Sequence, residues 1–281
     1  MVLFLNGKFV KKEKAAISPF DHGYLYGLGI FETLRTYNGK PFLLEEHLER
    51  LNDGLNELGI DREFTPSEIK PIIHELCRIN GLPDSYIRMN VSAGIGDIGL
   101  QTALYEDPTV IIFQKPLPPL TPLREKEAVI LKLRRNTPET GSRLKSHHFF
   151  NNAAAKREIG PDPDKEGIFL TKEGYLAEGI TSNLFWAKEG VLYTPALETG
   201  ILNGITRQFI LKMAGRSGIP VKEGLFKESA LHEADEMFFT NSIQEIVPVH
   251  KFMKRELPGN RGAIVRQLYK KYEDNISMLD E

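Results

Sequence analysis

Four prolines fall within the eight residues Lys115-Pro116-Leu117-Pro118-Pro119-Leu120-Thr121-Pro122. A proline has no backbone N–H, and its ring clashes with the preceding helical turn, so this tract cannot be helix and cannot donate a full strand ladder. It is extended and semi-rigid, and it divides a chain of 281 residues into two parts of ordinary domain size. The expected organisation is an N-terminal α+β domain over 1–115, an interdomain linker over 116–122 and a C-terminal α+β domain over 123–281.

Before the tract, Asn6-Gly7 between short apolar runs predicts a hairpin. Ser18 to Gly29 holds three glycines and two tyrosines and reads as a loop. Ile30 to Tyr37 reads as a strand that turns at Asn38-Gly39. Leu44, Leu48, Leu51, Leu55 and Leu58 then recur at helical spacing. His47 and Arg50 lie off that stripe, side by side, and each alone reads as a solvated helix residue. Thr65-Pro66-Ser67-Glu68 predicts a second helix, with Thr65 as cap and Pro66 at the first helical position. Cys77 falls in that helix and reads as a structural thiol. Tyr86–Val91 and Pro108–Phe113 read as strands, joined by a loop containing Ala93 to Gly99.

After the tract, strands are expected at Ala128–Leu133, Ile168–Thr171 and Tyr175–Glu178. A hairpin follows, Asn183–Ala187 with Val191–Thr194, and then a strand at Met237–Ser242. Helices are expected from about Asn151, after the glycine-bearing run Gly200–Arg207, and over Ala263–Tyr272. The whole is α+β, with no internal repeat and no low-complexity tract.

Net charge is −2, so electrostatics gives no reason to expect nucleic acid or a membrane surface as partner. A single cysteine permits no internal disulfide and suits a reducing cytoplasm. No run approaches the roughly 20 apolar residues of a membrane span, and the N-terminal run is too short for a signal peptide. No Walker loop, no dinucleotide fingerprint, no zinc-spaced Cys/His cluster and no nucleophile elbow is present.

The chemistry concentrates in Gly141-Ser142-Arg143-Leu144-Lys145-Ser146-His147-His148-Phe149-Phe150-Asn151-Asn152, in a chain whose other basic residues read as solvated surface. Gly204-Ile205-Thr206 at a helix start offers unpaired N–H groups, a positive dipole end and a hydroxyl, an anion site suited to phosphate. Lys145, Glu178 and this cradle together suit pyridoxal phosphate: a lysine for a covalent bond to the aldehyde, a carboxylate for the pyridine nitrogen, a helix end for the phosphate. Composition alone does not decide for it.

Five segments carry a resemblance. They are Phe42–Leu51, Leu144-Lys145-Ser146, Ala177–Phe185, Gly200–Arg207 and Thr240–Val249, in that order along essentially the whole chain. They resemble the fold type IV pyridoxal-phosphate enzymes: branched-chain aminotransferases, D-amino acid aminotransferases and 4-amino-4-deoxychorismate lyases. The resemblance implies the two-domain D-amino acid aminotransferase-like fold, with the cofactor in a cleft and active sites completed across a homodimer. It implies Lys145 as covalent anchor, Glu178 facing the pyridine nitrogen, and Arg50, Gly204, Ile205, Thr206, Thr240 and Asn241 about the cofactor.

Within the family, Phe31 stands where D-amino acid aminotransferases carry tyrosine, and Ala93-Gly94-Ile95-Gly96 replaces their carboxylate trap. Tyr86 and Arg88 match the branched-chain pattern, but Phe31-Glu32-Thr33 departs from it. Asn183–Trp186, Tyr193-Thr194-Pro195, Asn203-Gly204-Ile205 and Asn241 are similar to the lyases, which implies release of 4-aminobenzoate and pyruvate in folate biosynthesis. Phe31, Tyr86 and Arg88 are then substrate-contacting candidates, and Asn241 and Thr33 candidates to assist the leaving group. The alternative is an aminotransferase using the same lysine. A non-catalytic carrier of the cofactor is disfavoured by the presence of both Lys145 and Glu178.

Overall fold

The structure is a computed structural model that describes residues 1–117 and 123–279. Most of the proline tract, 118–122, therefore lies outside the described residues. The chain divides into two compact units, Met1–Pro118 with Leu144–His148, and Pro119–Arg143 with Phe149–Glu281. Both combine helices with a sheet, as the α+β pattern predicts.

The first unit contains β1 (Val2–Leu5), β2 (Lys8–Lys11), α1 (His22–Tyr26), β3 (Gly29–Tyr37), β4 (Lys40–Pro41), α2 (Leu44–Glu57), α3 (Pro66–Asn80), β5 (Ser85–Ser92) and β6 (Thr109–Pro116). Its sheet runs β2-β1-β6-β5-β3-β4 and is antiparallel throughout. The Asn6-Gly7 hairpin forms as expected, with Phe4 opposite Phe9. One sheet face is apolar: Ile30, Leu34, Ile87, Met89 and Val91 pack with the leucine stripe of α2 and with Ile69, Ile73 and Leu76 of α3. Two local expectations change. The Ser18–Gly29 loop holds the short helix α1, capped by the Asp21 carboxylate on Gly23 N at 2.7 Å. Thr65 makes no side-chain cap; its hydroxyl pairs with Ser67 Oγ at 2.9 Å. Cys77 is buried beside Gln114 Nε2, and burial pushes its thiol up, which fits the structural reading.

The second unit contains β7 (Lys126–Ile130), α4 (Phe150–Ile159), β8 (Lys165–Leu170), β9 (Leu176–Gly179), β10 (Asn183–Lys188), β11 (Val191–Pro195), α5 (Ile205–Arg216), β12 (Val221–Gly224), α6 (Ser229–His232), β13 (Glu236–Asn241), β14 (Glu245–Phe252), β15 (Arg255–Glu256) and α7 (Ala263–Ser277). Its sheet runs β12-β11-β10-β13-β14-β7-β8-β9, with β15 beside β14. The strand expected at Ala128–Leu133 starts earlier and ends at Ile130. β12 and β14 are additions to the sequence reading, and β14 is central, pairing antiparallel with β13 and parallel with β7. Helix α7 takes its cap from outside: both Glu236 oxygens accept N–H groups, from Ile264 and Val265. Among the described residues no helix is long and apolar enough to cross a membrane.

Candidate active site

The lysine segment belongs to the first unit although it follows the proline tract in sequence. It runs as an extra strand along the start of β3. Phe31 N donates to Lys145 O and His147 N donates to Gly29 O, each at 2.9 Å. Successive side chains of an extended segment point to opposite faces. Lys145 and His147 therefore share a face, the one that carries Phe31 and, along β3 and β5, Thr33, Tyr86, Arg88 and Asn90. Lys145 Nζ lies 4.6 Å from the Phe31 ring centroid and Arg88 Cζ 3.7 Å from it. Tyr86 sits one pleat further on, its ring 4.3 Å from Lys115 Nζ. Phe31, Thr33, Tyr86, Arg88 and Lys145, five of the predicted residues, thus gather on one sheet face.

The opposite face of β3 carries Glu32 at a fully buried position between Ile30 and Leu34. A carboxylate there needs partners. Two come from α2: Arg50 reaches it through Nε (2.7 Å) and Nη2 (2.8 Å), and His47 through Nδ1 (2.7 Å). Burial works against ionisation of Glu32, but the charge of Arg50 and the hydrogen bonds outweigh it and hold its carboxyl well below the usual range. Burial pushes His47 down, so it is a neutral donor to Glu32. His47 and Arg50 are therefore not the solvated helix residues that their position off the leucine stripe suggests. The spacing of three is what brings both onto one carboxylate.

In the second unit Glu178, at the end of β9, is buried and enclosed by donors. Arg135 Nε lies 2.9 Å from Oε1, while Leu202 N (3.1 Å) and Asn183 Nδ2 (3.4 Å) reach Oε2. Arg143 Nε stands 3.8 Å from Oε1. Burial, and then the charge of Arg135, push Arg143 down to about 10, which leaves it charged at neutral pH. Neighbouring Gly179 and Ile180 are fixed from below by Glu166, which accepts from Ile180 N and pairs with Lys126 at 2.8 Å.

Asn183 also bonds Leu202 O and lies opposite Thr240 in the β10–β13 register. A side chain at Gly204 would overlap Asn183 Oδ1, so α5 can begin here only on a glycine. The start of α5 has no side-chain cap. Thr206 Oγ1 lies 3.4 Å from Ser242 Oγ, and Thr240 Oγ1 is buried with no hydrogen-bond partner among the described residues. The uncapped helix start at Gly204-Ile205-Thr206 and the unpartnered Thr240 hydroxyl both lie in the second unit. Asn241 takes a structural part as well, its Oδ1 accepting from Ile243 N and Gln244 N to close the turn into β14.

Sequence reasoning missed Glu32, Arg135 and Arg143. For Glu32 a signal was available: a charged residue at an inward position of an alternating strand demands partners. For Arg135 there was none, because its partner lies 43 residues away.

The two depressed histidines set an expected pH dependence. His147 is held at about 4 by burial and by the charge of Arg88, and His47 is pushed down by burial. Unfolded, both take up a proton near 6.5, so the unfolded chain binds more protons between there and about 4 and stability rises with pH across that window. The thermal midpoint should fall as pH drops from about 6.5, before carboxylates protonate, and His147→Leu should flatten the fall. A midpoint unchanged down to pH 5 would refute it.

Comparison with known proteins bears on both units. A family profile described as amino-transferase class IV matches residues 29–252. An aminodeoxychorismate lyase of Bacillus subtilis (strain 168) is 45% identical over 280 residues, covering 98% of this chain and 96% of the relative. Among solved structures, the branched-chain aminotransferase of Thermoproteus uzoniensis superposes with a TM-score of 0.87 at 32% identity, covering 98% of this chain and 94% of its own. The 4-amino-4-deoxychorismate lyase of Pseudomonas aeruginosa gives 0.86 at 27% identity, covering 97% and 98%.

Proposed function

This chain belongs to the amino-transferase class IV family, and from that membership we propose that it is a pyridoxal 5'-phosphate-dependent aminodeoxychorismate lyase, releasing 4-aminobenzoate and pyruvate from 4-amino-4-deoxychorismate. The observation that carries this is the full-length 45% identity to a lyase. The residues present fit the cofactor. The uncapped start of α5 and the orphaned Thr240 hydroxyl are a phosphate's complement, and Lys145 is a primary amine seated against an aromatic ring.

When bound, the cofactor supplies a covalent link to the amine and a ring that withdraws electrons from the neighbouring carbon. Lys145 would hold it, then remove the proton from that carbon and return it where the leaving group departs. Glu178, aimed by Arg135 and Asn183, would face the ring nitrogen. Arg50, Gly204, Ile205, Thr206 and Thr240 would hold the phosphate. Arg50 is already oriented by Glu32. Asn241 would fix Thr240 through its turn. Thr33 would donate to the departing enolpyruvyl oxygen, with Phe31, Tyr86 and Arg88 against the substrate. Loss of that group makes the ring aromatic, so the protein need mainly orient and deprotonate.

The assay is direct. Cofactor-loaded protein given 4-amino-4-deoxychorismate should release 4-aminobenzoate and pyruvate in equal amounts. Amino transfer to 2-oxo acids without 4-aminobenzoate would overturn the reading in favour of a class IV aminotransferase, branched-chain or D-amino acid type, the alternative that the likeness to the Thermoproteus structure supports. The partner is a second copy of this chain. Ile95, Ile98, Leu100 and Leu104 are exposed on one loop of the first unit, tied to the turn before α1 through Gly96 N on Phe20 O and to α1 through Gly99 N on Tyr26 Oη. Such an apolar run marks an interface, and sedimentation equilibrium measures the mass. A cytoplasmic setting fits the lone buried thiol and is checked by cell fractionation.

A further inference from the structure

His147, two residues past the lysine, has no part in that chemistry, yet its ring is closely packed. Its backbone N–H is fixed on Gly29 O. The ring stacks on Phe31 with centroids 6.3 Å apart and 28° between planes, and any side chain at Gly29 would overlap it. Its Nε2 is nevertheless buried with no hydrogen-bond partner among the described residues. Buried polar atoms in native proteins are almost always satisfied, so an orphan held this firmly points to a missing ligand group.

The surroundings say what kind. Arg88 Nε is fixed on Asn90 Oδ1 at 2.7 Å and its Cζ lies 3.7 Å from the Phe31 ring centroid, while its terminal nitrogens make no ion pair among the described residues. A guanidinium held this way keeps its terminal N–H groups for a planar acceptor such as a carboxylate. The β3 and β5 residues of this face, Phe31, Thr33, Arg35, Tyr37, Tyr86, Arg88 and Asn90, include no acid. The carboxylate that acts on His147 from α1, Asp21, is held by Gly23 N and Ser92 Oγ. Burial, and then the charge of Arg88, keep the imidazole neutral at physiological pH, with a single N–H to give.

We propose that His147 is a specificity-determining residue that donates a hydrogen bond from Nε2 to a carboxylate of the amine substrate, on the sheet face that carries Lys145 and Arg88. The inference rests on the lyase reading, whose substrate carries two carboxylates, one on the ring and one on the enolpyruvyl group. A carboxylate only accepts, and so selects the Nε2–H tautomer. His148 stands on the other side of the segment, against Gly27, and takes no part.

The test uses the cofactor-loaded enzyme, with His147→Leu, which removes the donor, and His147→Asn, which keeps one. The visible absorbance of the lysine-bound cofactor and the thermal midpoint at pH 7.5 establish that each variant is intact. His147→Leu should raise KM for aminodeoxychorismate about tenfold with little change in kcat, and His147→Asn should recover part of the loss. Inhibition by 4-aminobenzoate probes the ring carboxylate and inhibition by pyruvate the enolpyruvyl one. His147→Leu should weaken one of them about tenfold while leaving aniline, which has no carboxylate, unaffected. Unchanged inhibition by both acids would overturn the proposal. An equal loss for aniline and 4-aminobenzoate would also overturn it, because that pattern is packing alone. Failure of the lyase reading would be seen instead in the native protein, as absence of 4-aminobenzoate.

Discussion

Lys145→Ala is expected to lower turnover by at least about a thousandfold and to abolish the visible absorbance of the lysine-bound cofactor, with the fold intact. The side chain would serve as covalent anchor and as the base that moves the proton, and positioned bases alone contribute about 10²–10⁴-fold. Alanine keeps the segment in place, because its two attachments to β3 are main-chain bonds, Phe31 N on Lys145 O and His147 N on Gly29 O. The thermal midpoint should therefore stay near that of the native protein, and the loss can be read as chemistry. Lys145→Arg separates charge from nucleophilicity: it preserves the cation beside Phe31 and should be as inactive as the alanine variant. Absorbance spectra with single-turnover rates check both. An unchanged spectrum, or an arginine variant that retains a tenth of the rate, would remove Lys145 from its role.

What could be read from the chain was what is local in it. The Asn6-Gly7 hairpin and the leucine stripe of α2 are set by neighbours two to four residues apart, and both stand as expected. Strand β14 was not legible. It carries Pro248, which argues against an internal strand, and its parallel partner β7 lies more than a hundred residues earlier. Charges were misread for the same reason. Arg50 and His47 look like surface on a helical wheel, and their partner Glu32 lies 18 and 15 residues back on a strand. Lys126, Arg135 and Arg207 are buried too, against the expectation that basic residues other than Lys145 are solvated. The residues themselves pointed to Lys145, Glu178 and Thr206, and the resemblance added Arg50 and Thr240. It supplied neither the register that puts Lys145 and His147 on one face nor the arginine beneath Glu178, because register and ion pairing are properties of the folded chain.

That arginine carries the other large effect. Arg135→Leu would leave the Glu178 carboxylate buried with its nearest cation gone, and breaking a buried pair from one side costs about 3–5 kcal/mol. Arg143, 3.8 Å from the same oxygen, remains and supplies part of the missing attraction. Leu202 N and Asn183 Nδ2 still satisfy the second oxygen. The lower end of the range is therefore expected, about 3 kcal/mol, or roughly 6–12 °C in the midpoint of the second unit at about 2–4 °C per kcal/mol. The loss belongs to the stranded charge more than to the missing side chain. Adding Glu178→Gln should therefore restore stability by about half or more, even though Asn151, bonded to Arg135 Nη1 at 2.8 Å, still lacks its partner. Calorimetry on the two single variants and the double variant decides. If Arg135→Leu and the double variant melt together, Arg135 does not offset the buried Glu178 carboxylate, and the carboxylate offered to the cofactor ring must be aimed by Asn183 and the backbone of Leu202 instead.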